Sequence, residues 1–320
     1  MDDSLLFQVA EILSALCGVL LFFLVLYFRL KKPRVVNVFS FKQNLWIGLI
    51  DTIEYTWYMV SRNGVLLEPY NGISDHWWIH FHLFLPWFLN AWLTMVVVCI
   101  ALDLHLSFVF RFERMERIQR FYTPISILLA LCYQLPSHLL LSVDYEGDKH
   151  RVFLGSKNNL RLYFVWFLQF SWEFICTLYT VVAVVSVLYS LWKKSHESGA
   201  GNNMRNEPRN SEHRLKRTIL FALLYPVVLI LSQWTYILPA FNLFLDILVL
   251  PKIPKLVFWI LMMLQSLAGV FHLLVFFFHP TFRRALEDVS WWPIKKERRL
   301  ATQHELPVTS NSETEKLIDE

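Results

Sequence analysis

The chain has 320 residues, 55% hydrophobic and 16% aromatic, with 18% charged and a formal net charge of +4. A soluble domain of this size carries roughly a quarter charged residues and no long uncharged runs, so that class is set aside. The small positive charge excludes a nucleic-acid surface, and all four cysteines (Cys17, Cys99, Cys132, Cys176) lie inside apolar runs, with neither zinc spacing nor a disulfide framework implied.

Seven runs are long enough to span a bilayer: Leu5 to Phe28, Leu45 to Ser61, Ile79 to Phe110, Phe121 to Val143, Leu162 to Trp192, Thr218 to Leu238 and Leu256 to Phe278. Acidic Asp2 and Asp3 precede the first, where a cleavable signal peptide would carry basic residues. The second is the shortest and carries Asp51 and Glu54, so hydropathy alone ranks it last. The third is the organising run. Between Ile79 and Phe110 its only ionisable residues are His80, His82, Asp103 and His105, with Asn90 near the middle. A polar group at mid-depth needs a partner, which places this helix inside the bundle and not against lipid. The third and fifth runs exceed the ~30 Å hydrocarbon core at about 1.5 Å per residue, so they tilt or continue into the cytosol.

No internal repeat is evident, which weighs against repeat-built transporters. Nine glycines are too few for close glycine contacts to be the general packing rule. Lys and Arg set the orientation. Loops 31–44, 111–120 and 193–217 and the segment after span seven hold four, four, seven and seven; the alternate loops hold none, none, three and two. The N-terminus is therefore expected outside and the C-terminus in the cytosol. Loop residues 195–213 are polar and aperiodic and read as disordered, as does the tail from 295 to 320. Between span seven and that tail, residues 281–292 place Phe282, Leu286, Val289 and Trp292 on one helical face, an amphipathic helix on the inner leaflet that Pro280 separates from span seven.

Polar residues cluster at three levels. The outer half holds His80 and His82 on span three, Gln169, Trp172 and Glu173 on span five, Gln233 and Trp234 on span six, and Gln265 on span seven. Polar groups at similar depth among aromatics describe a pocket for a small extracellular ligand; the alternative is hydrogen bonding that only holds helices together. For Glu173, ionisable within a span, the functional reading leads. Deeper in, Asp51 and Glu54 lie on span two and His272 on span seven. Asp51 and His272 both fall about 10 Å from the inner boundary by helical rise, so acid and imidazole can satisfy each other. At the inner rim, Asp103 and His105 continue into Arg111, Arg114 and Arg117, spaced every three residues; such a face also binds anionic headgroups of membrane lipids.

Two cofactor chemistries find little support. His76, His80 and His82 invite zinc, but the site would need further ligands on other spans at one depth, and His272 and His279 lie towards the cytosol. Span seven contains no lysine for a retinal Schiff base. No metal or other cofactor is implied.

Seven spans with this orientation, the long third inner loop and an amphipathic helix after span seven resemble a G protein-coupled receptor. The ending FFFHPTFRRAL is similar to the span-seven exit of rhodopsin-like receptors, but Phe271 to Val275 replaces their Asn-Pro-x-x-Tyr and Asp103-Leu104-His105 replaces Asp-Arg-Tyr. Tyr225-Pro226, Trp234, Pro239 and Asn242 in and after span six, WLTMVVVCIALDLHLSFV in span three and LQSLAGVFHLLVFFF in span seven resemble the cyclic-AMP-receptor-like and fungal glucose-receptor-like groups. The resemblance implies an all-α membrane fold, a seven-transmembrane helix bundle in the plasma membrane, with a heterotrimeric G protein as partner. It implies coupling through Asp103, His105, Arg111, Arg114, Lys216 and Arg217, and switching through Asp51, Glu54, Asn90, Tyr225, Pro226 and His272, with Pro226 kinking span six. A seven-span transporter or lipid exporter is the alternative, and a membrane-embedded metal-dependent hydrolase ranks third.

Overall fold

The structure is a computed structural model that describes residues 3–33, 39–62, 77–112, 115–140, 142–146, 151–155, 159–200, 223–224, 226–228, 231 and 254–287. Five long helices come first: α1 (Asp3–Lys31), α2 (Phe39–Arg62), α3 (Trp77–Phe108), α4 (Met115–Leu140) and α5 (Asn159–Ala200). Three shorter ones end the described chain: α6 (Lys255–Ser266), α7 (Ala268–Phe278) and α8 (Pro280–Glu287). Between α4 and α5 lie strands β1 (Ser142–Glu146) and β2 (Arg151–Gly155), antiparallel with Ser142 opposite Gly155 and Glu146 opposite Arg151.

The hairpin is a short departure from an otherwise helical fold among the described residues. Val143 and Tyr145 on one strand and Val152 and Phe153 on the other are β-formers, and Gly147-Asp148 between the strands is a turn signal. Span four therefore ends at Leu140, short of Val143. A difference from expectation concerns the third inner loop. Residues 195–200, expected disordered, continue α5 as helix, because each residue added to an existing helix closes one more backbone bond without a new nucleation cost. Residues 201–213, the tail from 295 and residues 288–292 of the amphipathic segment lie outside the described residues.

Among the described residues three helical segments are long and apolar enough to cross a membrane, Leu5–Lys31, Phe84–Phe108 and Ser171–Lys193; the bent pair Trp259–Ser266 and Ala268–Phe278 makes a fourth if it is one span. Helix α2 has the length but carries Lys42, Asp51, Glu54 and Arg62, and span six falls mostly outside the described residues. The protein is thus a helical one with apolar helices suited to a membrane.

Helix α3 is the hub. It packs on α2, α4 and α5, while α1 packs on α2 and α7. Leu89 through Val97 are all buried, nine consecutive residues covering every face of the helix, as in the centre of a bundle. By contrast α1 turns Leu13, Leu16, Leu20 and Phe23 outward and buries Ser14, Leu21 and Val25. Glycine contacts matter more than the composition suggested. A Cβ on Gly48 would lie 2.8 Å from the Phe22 backbone nitrogen and 3.0 Å from the Gly18 carbonyl, so α1 and α2 meet backbone to backbone.

The final apolar run is broken. Helices α6 and α7 meet at Leu267 with a bend of 54°, and no proline causes it. Side chains from other helices reach into the break instead: Ser14 Oγ donates to the Ser266 carbonyl at 2.6 Å and Tyr55 Oη to the Gln265 carbonyl at 2.7 Å. Such insertion into the backbone ladder is a recognised cause of a kink. Beyond α7 the chain turns at His279, whose Nδ1 accepts the Thr281 amide at 3.2 Å, and Pro280 opens α8 without a lost donor. Phe282 anchors α8 against Phe28, Phe276 and Phe277, while Arg283 is exposed.

Candidate functional site

The strongest polar constellation lies between α1, α2, α6 and α7. Asp51 and His272 are each 0% exposed, and His272 Nδ1 lies 2.8 Å from Asp51 Oδ2. Equal depth counted along two spans predicted this meeting, and the structure places the two groups in hydrogen-bond contact. The distance suits an imidazole N–H donating to a carboxyl oxygen. Their outer atoms, Asp51 Oδ1 and His272 Nε2, are buried with no hydrogen-bond partner. Glu54 is also buried, as is Glu11 on α1. Tyr55, which ties α2 to the break in the last span, lies near Asp51, Glu54, Tyr58 and Glu11. Three carboxylates and one imidazole inside an apolar bundle are costly to bury, which makes this region the candidate site.

The residues expected to form an outer pocket fall at several helix contacts. His82 sits between α2 and α3: its carbonyl accepts the Trp57 indole N–H at 3.1 Å, the two rings lie 5.2 Å apart, and its own Nδ1 is buried without a partner. Trp172 lies between α4 and α5, stacked on Tyr133 with centroids 5.3 Å apart, and neighbouring Glu173 is buried. Gln265 stands at the break between α6 and α7. His80 and Gln169 are on α3 and α5, with their side chains outside the described set; Gln233 and Trp234 lie outside the described residues altogether.

Of the switch residues, Asn90 is buried on α3 and its carbonyl accepts the Thr94 hydroxyl at 3.0 Å. Pro226 is buried in a helical turn closed by the Val227 amide on the Leu223 carbonyl at 3.3 Å; Tyr225 is outside the described residues. At the end of α3, the Asp103 carboxylate accepts Gln119 Nε2 of α4 at 2.7 Å, and His105 Nδ1 lies 3.4 Å from the Tyr179 hydroxyl of α5. Arg111 is exposed in the left-handed region, φ 52°, where the chain leaves α3. Arg114, Lys216 and Arg217 lie outside the described residues.

Sequence reasoning missed Glu11, Ser14, Tyr55, Gln119, Tyr133 and Tyr179. Glu11 carried a usable signal, an acid inside the first apolar run. The others look like ordinary polar or aromatic residues until their partners are seen.

Compared with known proteins, the chain matches no protein-family model and no curated protein.

Proposed function

We propose that the chain is a seven-span receptor of the plasma membrane, N-terminus outside, that couples a small extracellular ligand to a heterotrimeric G protein. The observation that carries this reading is the Asp51–His272 bond between the second and last spans, beside a central α3 that leans on α2, α4 and α5. A ligand that favours one arrangement of these helices shifts the population of the inner ends, where Asp103 and His105 already link α3 to α4 and α5. The amphipathic α8 after the His279–Pro280 turn fits the same reading. The test is nucleotide exchange on purified Gα subunits by the protein in lipid nanodiscs. A failure to accelerate exchange on any of them counts against it.

One observation favours the transporter alternative. A discontinuous last span next to buried Glu11, Asp51 and Glu54 is the kind of arrangement that holds a coupling ion. Solute flux in proteoliposomes separates the two readings.

A further inference from the structure

The inward face of α5 carries polar groups that the bundle leaves unsatisfied. Glu173 is 6% exposed, on a face that continues through buried Cys176, Thr177 and Thr180. Its carboxyl lies near Tyr133 and Cys176, neither of them a cation. Two further groups within five residues, Trp172 Nε1–H and Thr177 Oγ1, are buried with no hydrogen-bond partner. Thr180 provides the contrast. Its hydroxyl bonds back to the Cys176 carbonyl at 2.7 Å, the ordinary way for a hydroxyl to satisfy itself in an apolar helix. Thr177 has the same option one turn earlier and leaves its oxygen free.

The surroundings favour a positive guest. Tyr133 of α4 stacks on Trp172 and lies near Glu173, so aromatic surface borders the carboxylate. Helix α3 contains no Lys or Arg. Arg117 and Arg120 sit in the opening turns of α4, and Arg161 opens α5 twelve residues before Glu173, about 18 Å away along the helix. A buried carboxylate without a cation is costly, and an aromatic wall attracts cations through its π-face.

We infer that the α4–α5 face formed by Glu173, Trp172, Tyr133 and Thr177 binds a small protonated amine on an aromatic or apolar body, with Glu173 as its counter-ion. The carboxylate and the Thr177 oxygen accept from the ammonium, the Tyr133–Trp172 pair borders it, and the Trp172 N–H remains to donate to an oxygen on the ligand. This rests on the receptor reading for its meaning, but its test involves no G protein.

The full chain in lipid nanodiscs is titrated with phenethylamine, with its N,N,N-trimethyl derivative and with uncharged phenethyl alcohol, following the thermal unfolding temperature. Both cations raise that temperature saturably, the trimethyl derivative less because it has no N–H to give to Glu173 and Thr177, and the alcohol does not. Glu173→Gln, checked for its own cooperative unfolding, binds the cation at least ~30-fold more weakly, as expected when one partner of a desolvated charge pair is removed. Glu173→Asp, which keeps the charge, retains a weakened response and replaces the Gln variant if that one fails to fold. The proposal is overturned if the alcohol stabilises as much as the amines, if neither amine shifts unfolding, or if the Glu173 variants respond as wild type does. Amine binding without nucleotide exchange would sink the receptor reading alone.

Discussion

The Tyr55 hydroxyl donates a 2.7 Å hydrogen bond to the Gln265 carbonyl, at the point where the last span bends by 54°. One turn before Tyr55 on the same helix, Asp51 holds His272 beyond the break. Helix α2 therefore grips both halves of the broken span, and α1 adds the Ser14–Ser266 bond to the upper half.

Removing the Tyr55 hydroxyl tests that grip. Tyr55→Phe keeps the ring and removes its hydrogen bond to the Gln265 carbonyl, which should cost about 0.5–1.5 kcal/mol and lower the unfolding temperature. Tyr27→Phe is the control, since Tyr27 is exposed and its ring contact with Phe28 survives the change. Equal melting of the two variants would mean that the Tyr55 bond contributes nothing.

Gly269→Ala has a sign that geometry decides. Alanine is about 1 kcal/mol better than glycine in an unhindered helix. Here the new Cβ would lie 2.6 Å from the Ser14 carbonyl oxygen of α1, a backbone atom that cannot swing aside. Helix α7 must then move off α1, and a net loss of about 1–3 kcal/mol is expected. A more stable variant would show that the two helices are not held this close.

For the buried pair, Asp51→Asn and His272→Ala should each destabilise the protein, with the double variant costing less than the sum by about 0.5–3 kcal/mol. The reason is that each single change strands the other partner in a fully buried site. Strict additivity in a thermal double-mutant cycle would mean that the two groups do not act together.

Pro226 bears on movement more than on stability. It removes a backbone donor from the middle of the sixth apolar run. Pro226→Ala should straighten that segment, leave the amount of folded protein unchanged and slow G-protein nucleotide exchange. Exchange equal to wild type would reduce the kink to architecture.

Much of this architecture is legible along the chain because it depends on local periodicity. The uninterrupted apolar run with Asn90 at its centre marks α3 as the hub, and residue counting from the inner boundary brings Asp51 level with His272. The features that escape are those made by distant partners. Nothing in LQSLAG announces a break, since the bend rests on Ser14 and Tyr55, 252 and 210 residues away from the carbonyls they hold. Asp103 and His105 read as a solvated rim until Gln119 and Tyr179 arrive from neighbouring helices. The hairpin at 142–155 escapes because short strands carry a weaker pattern than the spans beside them.

The most direct measurement of the central claim is the rate of nucleotide exchange on a panel of purified Gα subunits, with wild-type protein and His272→Ala in nanodiscs. A receptor whose second and last spans act through the Asp51–His272 bond accelerates exchange on at least one subunit, and His272→Ala, still folded, loses most of that acceleration. Exchange at the uncatalysed rate with every subunit, together with solute flux through the same protein in liposomes, would contradict it.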